Sequence, residues 1–269
     1  MRLGEVEAGS KTALVTGASK GIGRCYALQL AALGYNVVMV SLTQSDLERT
    51  AAEVAKVNSK VWVRHYTKDM ATMTAAEELF AWTEQEGIKV DVLINNAGMF
   101  SFCDILNTPV ERIERTIVLH DITATKMCRL FAADMAQRGG GRILNMSSYS
   151  IWMPYPGLSL YSASKAYLKS FSIAFSKEVR EKGVYVTAIC PAGIATDLYG
   201  LSPKLQRLGV KIGGLMTPES CARRSLNALW RGRRCKVPDW WFRLFIPLCQ
   251  LLGGAPMRWL RGFTMQFQK

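Results

Sequence analysis

Tyr161-Ser162-Ala163-Ser164-Lys165 sets a phenol and an ammonium four residues apart. On a helix, both side chains would share one face. An ammonium about 5 Å from a phenol, at an effective dielectric of about 20, favours the phenolate by roughly 3 kcal/mol, or about two pKa units. Such a shift would draw the tyrosine toward neutrality, where a general acid or base is most useful. Upstream stands Asn145-Met146-Ser147-Ser148, with Ser148 thirteen residues before Tyr161. A hydroxyl at that point can hold a carbonyl oxygen while the tyrosine delivers a proton to it. The Y-x3-K spacing by itself is common, so the chemistry depends on elements that bring Ser148 and Tyr161 together.

A second constellation is Thr16-Gly17-Ala18-Ser19-Lys20-Gly21-Ile22-Gly23. It follows an apolar burst and opens a helical pattern. Glycines there let the backbone turn tightly and approach a pyrophosphate, and a helix N-terminus offers unpaired N–H groups and a positive dipole end. The spacing G-x3-G-x-G departs from the commoner G-x-G-x-x-G, and a plain strand-to-helix turn is the bland alternative. Lys20 lies within the loop and could pair with an adenosine 2′-phosphate. The second apolar burst ends Val40-Ser41-Leu42-Thr43, without the acid that an NAD site uses for the ribose hydroxyl. Ser41 and Thr43 could donate to phosphate instead. The pattern favours NADP(H), with an exposed loop lysine as the other reading of Lys20.

The elements that must position these groups follow from hydrophobic periodicity. Thr12–Thr16, Asn36–Ser41, Val61–Tyr66, Asp91–Ile94, Arg142–Met146 and Val184–Ile189 read as short strands, largely continuous in hydrophobicity. That pattern suits strands buried on both faces. Segments 21–33, 44–57, 72–86, 109–138 and 159–182 are long enough to be crossover helices. The alternation predicts a doubly wound parallel sheet with helices on both faces. The carboxyl edge of such a sheet is where ligands bind, and Ser148 falls at the end of the fifth strand.

The chain has 269 residues, 49% hydrophobic and 20% charged, enough for a full core and too apolar for disorder. Neither a 20–50-residue repeat nor a Pro/Gly/Ser linker is visible, so one domain is expected over 1–238. Residues 239–269 read as a basic, aromatic extension. From 221 onward, ten Lys/Arg face one acid, Asp239, giving +9 of the total +13. Trp240, Trp241, Phe242 and Arg243, then Arg258, Trp259 and Arg261, suit a segment on anionic lipid. Pocket closure and an oligomer contact are alternatives. Aromatics with arginine also occur at single-stranded nucleic-acid sites, but no such module is present and no nucleic-acid partner is expected. Seven cysteines, at 25, 103, 128, 190, 221, 235 and 249, show no ligand spacing, and only His65 and His120 could assist them. No metal is expected. The scattered thiols fit a reducing compartment, the N-terminus shows no secretory h-region, and the longest late apolar stretch is too short to span a bilayer. The expectation is a cytoplasmic protein, with peripheral membrane contact through the tail.

In order, the Thr16–Gly23 loop, Asp69, Asn95-Asn96-Ala97-Gly98, Ser148, Tyr161-x3-Lys165 and Pro191–Thr196 resemble the short-chain dehydrogenase/reductase family over about residues 10–230. The stretch Ser147–Leu198 looks like the branch containing 17β-hydroxysteroid dehydrogenases and 3-oxoacyl reductases. The resemblance implies a single Rossmann-type dehydrogenase/reductase domain over 1–238 with a substrate lid at 197–216, and a homodimer or homotetramer. It implies Tyr161 as proton donor, Lys165 as its pKa-lowering partner and ribose ligand, and Ser148 as holder of the substrate carbonyl. It also implies that Gly17, Ser19, Lys20, Gly21, Ile22, Gly23 and Ser41 surround the phosphates, and that Asp69 and Met70 contact adenine. Asn95, Ala97 and Gly98 would line the cleft, with Pro191, Ile194 and Thr196 near the nicotinamide carboxamide.

Two departures stand out. The family's active-site asparagine is replaced in Ile117-Val118-Leu119-His120-Asp121-Ile122 by His120, or by Asp121 if the alignment shifts by one. His120 could hold a relay water, shuttle protons near pH 7, mark weakened catalysis, or simply meet a local partner. The second departure is Ala192 in Pro191-Ala192-Gly193, a small change. The bulky stretches Met99–Phe102, Ile151–Pro156 and Leu198–Met216 point to a large hydrophobic carbonyl compound, a ketosteroid or long-chain 3-oxoacyl type, unless they are ordinary loop packing. A hydride-transferring oxidoreductase is the first expectation. A non-catalytic NADP-binding protein, or a dehydratase or epimerase on the same scaffold, is the alternative.

Overall fold

Leu14, Val38, Val40 and Leu93 point to one side of a central sheet, while Ala13, Val15, Val37, Met39, Val92 and Ile94 point to the other. Alternation along buried strands thus divides a continuous apolar run between two cores. The computed structural model describes residues 3–100, 102–153, 155–239 and 241–244. Its strands are β1 (Thr12–Thr16), β2 (Asn36–Ser41), β3 (Val63–Thr67), β4 (Val92–Asn95), β5 (Gly141–Met146), β6 (Val184–Ile189) and β7 (Cys235–Lys236). They form one parallel sheet in the order β3-β2-β1-β4-β5-β6-β7. The order reverses between β1 and β4, which opens a crevice at their carboxyl ends.

Helices α1 (Gly21–Ala32), α2 (Gln44–Val57) and α8 (Pro218–Trp230) contribute to the core on the Ala13 and Val15 face or to its flank. On the other face lie α3 (Ala75–Gln85), α4 (Val110–Ile117), α5 (Ala124–Gln137) and α6 (Ser159–Glu178). Thr217 caps α8, its hydroxyl accepting from the Ser220 N–H at 3.2 Å, with Pro218 in the first turn.

The expected strands are all present. β3 begins two residues later than expected because the Val61 N–H turns back to the Asn58 carbonyl and the Trp62 N–H donates to the Asn36 side chain, and its edge position leaves Arg64 and His65 exposed. Three features go beyond the sequence pattern. The 109–138 crossover is not one α-helix: Val118–Thr123 adopts a π turn between α4 and α5. The lid region contains α7 (Pro203–Lys211), which Ser202 caps through the Leu205 N–H. The two-residue β7 adds a seventh strand. Just beyond 238 the described chain still packs on the domain. Asp239 is buried, and the Phe242 carbonyl accepts a 2.8 Å hydrogen bond from Tyr149. The rest of the basic tail, Trp240 and 245–269, lies outside the described residues. Among those described, no helix is long and apolar enough to cross a membrane.

Candidate active site

The crevice is built first from backbone. Gly17 follows β1 with φ 65°, and a Cβ there would sit 2.9 Å from Ala97 Cα. Gly23 lets α1 close on that loop, because a Cβ there would overlap the Gly17 carbonyl oxygen. Lys20, the N-cap of α1, makes no side-chain bond to the first turn, so those N–H groups remain for a ligand. Asn96 locks the facing loop: its side-chain amide donates to the carbonyls of Thr16 at 3.0 Å and Gly17 at 3.3 Å. Thr16 completes the clasp, its hydroxyl accepting from the Asn96 and Ala97 N–H groups. A cavity of about 470 Å³ runs from this loop to Tyr161 and Lys165. The uncapped helix end and the glycine cradle fit a dinucleotide.

Of the expected cofactor residues, Gly17, Lys20, Gly21, Ile22, Gly23, Ala97, Gly98, Pro191, Ile194 and Thr196 line this cavity. Ser19 and Ser41 lie just behind it, hydroxyl to hydroxyl at 2.8 Å. Lys20 is not unpaired: its ammonium lies 2.7 Å from Asp46, whose other oxygen accepts from Arg49. Asp46 sits in the first turn of α2, beyond the strand end where an NAD site would carry its acid. Asp69 is pinned by the Ala71 N–H and by Arg115, each at 2.8 Å. Burial pushes its carboxyl up, but these partners outweigh it and hold it below the usual range. Met70 is buried beside Thr123, whose hydroxyl donates to its carbonyl. Asn95 lies beneath the cavity floor, donating to Asn145 at 2.8 Å, and so braces the neighbouring strands.

At the other end, β5 delivers Ser148 and the start of α6 delivers Tyr161 and Lys165, all buried. Ser148 opens a short 3₁₀ turn, and its Oγ accepts from the Ser150 N–H at 3.1 Å. The Lys165 Nζ lies 5.8 Å from the centre of the Tyr161 ring and donates to the Met146 carbonyl at 2.9 Å. Lys165 falls to about 8, chiefly through burial, with Asp121 pulling the other way. Tyr161 is not lowered as its spacing from Lys165 implies. Burial raises it above the ordinary phenol value, and a hydrogen bond with Ser148 only partly offsets that. Spacing alone counts Coulomb attraction to Lys165, whereas the causes acting on Tyr161 are burial first and then the Ser148 hydrogen bond. Near neutral pH, Tyr161 therefore carries its proton.

His120 lies on the π turn, 1% exposed, and its ring meets Tyr161 edge-on at 6.0 Å. Its Nε2 accepts from the Met99 N–H at 3.1 Å, so the proton sits on Nδ1, which donates to Ser164 Oγ at 2.8 Å. Ser164 in turn donates to the Tyr161 carbonyl at 2.9 Å. Burial, then the Lys165 charge, holds His120 well below its usual pKa. A proton shuttle near pH 7 is thus replaced by a neutral tie between the β4 loop and α6. Asp121 beside it is half-buried, with one carboxylate oxygen lacking a hydrogen-bond partner among the described residues. Burial lifts it to about 6 against the Lys165 charge. The roles of Ser164 and the Met146 carbonyl are not legible in the sequence, and Asn96, though within the Asn95–Gly98 motif, carries no signal there of its grip on the Thr16–Gly17 turn.

The expected substrate stretches divide. Met99 and Leu198 face the cavity, and Phe100 packs on Tyr161 at 5.1 Å. Phe102 follows, 6.4 Å from Phe100 and 6.1 Å from Tyr155. Ile151, Trp152 and Met153 instead pack around Tyr149, Cys190 and Val237, away from the cavity. Ser101 and Pro154 lie outside the described residues.

Comparison with known proteins agrees with this geometry. Residues 11–204 match the family model described as short chain dehydrogenase. A very-long-chain 3-oxoacyl-CoA reductase of Pyrenophora tritici-repentis is 36% identical over 180 residues, 66% of this chain and 53% of that protein. A 17-beta-hydroxysteroid dehydrogenase type 3 of Danio rerio is 34% identical over 199 residues, 71% of this chain and 62% of its own. The matches thus span little more than half of these relatives' lengths. A short-chain dehydrogenase from Sphingobium yanoikuyae in complex with NADPH superposes with a TM-score of 0.77 at 27% identity, covering 91% of this chain and 97% of that one. With most of its length in the family model, and its glycine cradle and Ser-Tyr-Lys cluster opening onto one cavity, the chain belongs to the short-chain dehydrogenase family.

Proposed function

We propose that this chain reduces the carbonyl group of a large hydrophobic substrate with NADPH, of the ketosteroid or long-chain 3-oxoacyl type. The observation that carries the reading is that Ser148, Tyr161 and Lys165 open onto the same cavity as the glycine cradle. A bound nicotinamide would supply the hydride. Tyr161, kept protonated by burial, would give its hydroxyl proton to the carbonyl oxygen held by Ser148. Lys165 would stabilise the phenolate left behind, its ammonium anchored by the Met146 carbonyl. Positioning and exclusion of water account for most of what the protein contributes.

NADPH over NADH rests on Lys20, Arg49 and the Ser19–Ser41 hydroxyl pair, with Asp46 as the one opposing charge. Hydrophobic specificity rests on Met99, Leu198 and the Phe100–Phe102 wall. The names of the fungal reductase and the zebrafish steroid dehydrogenase are consistent with both substrate types. The test is NADPH and NADH oxidation by the purified protein across ketosteroids, long-chain 3-oxoacyl thioesters and small polar ketones. Turnover of a hydrophobic class with NADPH is expected. Tight NADPH binding without turnover of any ketone would favour a non-catalytic role or a different reaction on this scaffold.

A further inference from the structure

At the far edge of the sheet, Cys190 follows β6 and Cys235 begins β7, and their sulfurs lie 3.9 Å apart. Cys190 is fully buried and Cys235 half-buried, within the cluster formed by Tyr149, Ala192, Val237 and Phe242. The pair is chemically unequal. Cys235, the more exposed of the two, is held below the ordinary thiol value by its hydrogen-bond contact with the Cys190 sulfur and by the positive charges of Lys169 and Arg243. The same hydrogen bond, together with burial, pushes Cys190 up. Burial instead lifts Cys25, Cys128 and Cys221 to about 12, which makes them inert. The arrangement sets the thiol that ionises more readily 3.9 Å from a buried one able to resolve it.

The pair is also mechanically placed. Cys190 directly precedes Pro191, whose carbonyl accepts from the Tyr149 N–H at 2.8 Å and which lines the cavity. Asp239, four residues after Cys235, accepts from the Ala192 N–H at 3.4 Å, so the chain after β7 is tied to the same loop. A disulfide requires the sulfurs to approach by about 1.9 Å from their present separation, which must move β7, Cys190 or both.

We propose that Cys190 and Cys235 form a dithiol that a hydroperoxide closes into a disulfide, and that closure weakens cofactor binding through the Pro191–Thr196 loop. The Cys235 thiolate attacks the peroxide, its O–O bond breaks, and an alcohol (water, from hydrogen peroxide) leaves after taking up a proton. The resulting sulfenic acid is attacked by the Cys190 sulfur. An S–S bond forms, the S–O bond breaks, and hydroxide departs with the Cys190 proton as water. Two electrons pass from the thiols to the peroxide. The effect on binding rests on the cavity taking NADPH; formation of the bond does not.

The experiment treats the full chain with hydrogen peroxide, maps cysteine-containing peptides by mass spectrometry, and titrates NADPH by tryptophan fluorescence before oxidation, after it, and after dithiothreitol. The expected result is a Cys190–Cys235 linked peptide pair, two hydrogens lighter than the free thiols, with NADPH binding weakened severalfold. Dithiothreitol should reverse both changes. Cys235→Ser, at the more accessible position, should bind NADPH normally and lose both responses. Sulfinic acid on Cys235 with Cys190 still free, linkage of Cys235 to another cysteine, or a Cys190–Cys235 bond with unchanged affinity would each overturn the proposal. Failure of the reduced protein to bind NADPH would count against the functional reading, and the peptide map would still decide whether the bond forms.

Discussion

The two ends of the cavity are made of different materials. At the β1–α1 end, recognition is offered by backbone: glycines, an uncapped helix terminus, and the Asn96 and Thr16 clasp. At the β5–α6 end it is offered by buried side chains, with His120 bonded to Ser164, Ser164 to the Tyr161 carbonyl and Lys165 to the Met146 carbonyl. The first should fail when volume is added. The second should fail when a proton or a hydrogen-bond partner is taken away, because loss of water makes each buried polar group dependent on its neighbours.

The sharpest test of that contrast is Tyr161→Phe, which deletes a proton and adds no volume. Turnover should fall by about 10²- to 10⁴-fold, the usual worth of a general acid. NADPH affinity, read by fluorescence titration, should barely change; retained turnover would break the contrast. Gly23→Ala probes the other end. Its added methyl meets the Gly17 carbonyl, so forcing it in should cost about 1–3 kcal/mol, visible as weakened NADPH binding and a lower Tm. Wild-type binding and melting would show that the loop yields more readily than its packing implies.

His120→Asn tests whether the histidine is a neutral tie. As pH falls below 6.5, the unfolded chain protonates this residue while the native state resists. Native stability therefore drops by roughly 1.4 kcal/mol per pH unit from this group. Asp121 acts with the opposite sign: its folded value of about 6 lies above the unfolded one, so it adds stability as pH falls from 6 toward 4. Both proteins share that contribution. Urea unfolding should therefore show the wild type losing more stability than the variant between pH 7 and pH 5. Parallel losses would mean His120 takes up its proton in the folded state. The smallest effect belongs to the exposed rim. Asp46→Asn should release Lys20 and improve NADPH binding modestly over NADH, while Lys20→Ala should do the reverse. Equal changes on both cofactors would remove Lys20 from the phosphate site.

The contrast also explains what can be read from the residues alone. Glycine spacing and apolar bursts are local signals, so the cradle, six strands and the crossover pattern are legible. Tyr161, Lys165 and Ser148 are legible as types at a spacing, but their protonation is not. The lowered tyrosine expected from charge alone becomes a raised one once burial is counted. Asp46 is not legible as a partner because it approaches Lys20 from the next helix rather than from the strand end. β7 has only two residues, too few for a periodic signal. The π turn is hidden because Val118–Thr123 contains neither proline nor glycine and reads as unbroken helix.

That turn has a consequence for how this site can be altered. A π turn accommodates one surplus residue within an otherwise regular helix, leaving the segments on either side in phase. Deleting a single residue between 118 and 123 would restore ordinary winding and leave Met127, Phe131 and Met135 facing the sheet. What would vanish is the inward placement of the imidazole. Scaffold and candidate site would therefore be separable here by the length of one peptide unit: the sheet-facing residues of α5 would keep their phase, and the tie between the β4 loop and the tyrosine helix would be lost.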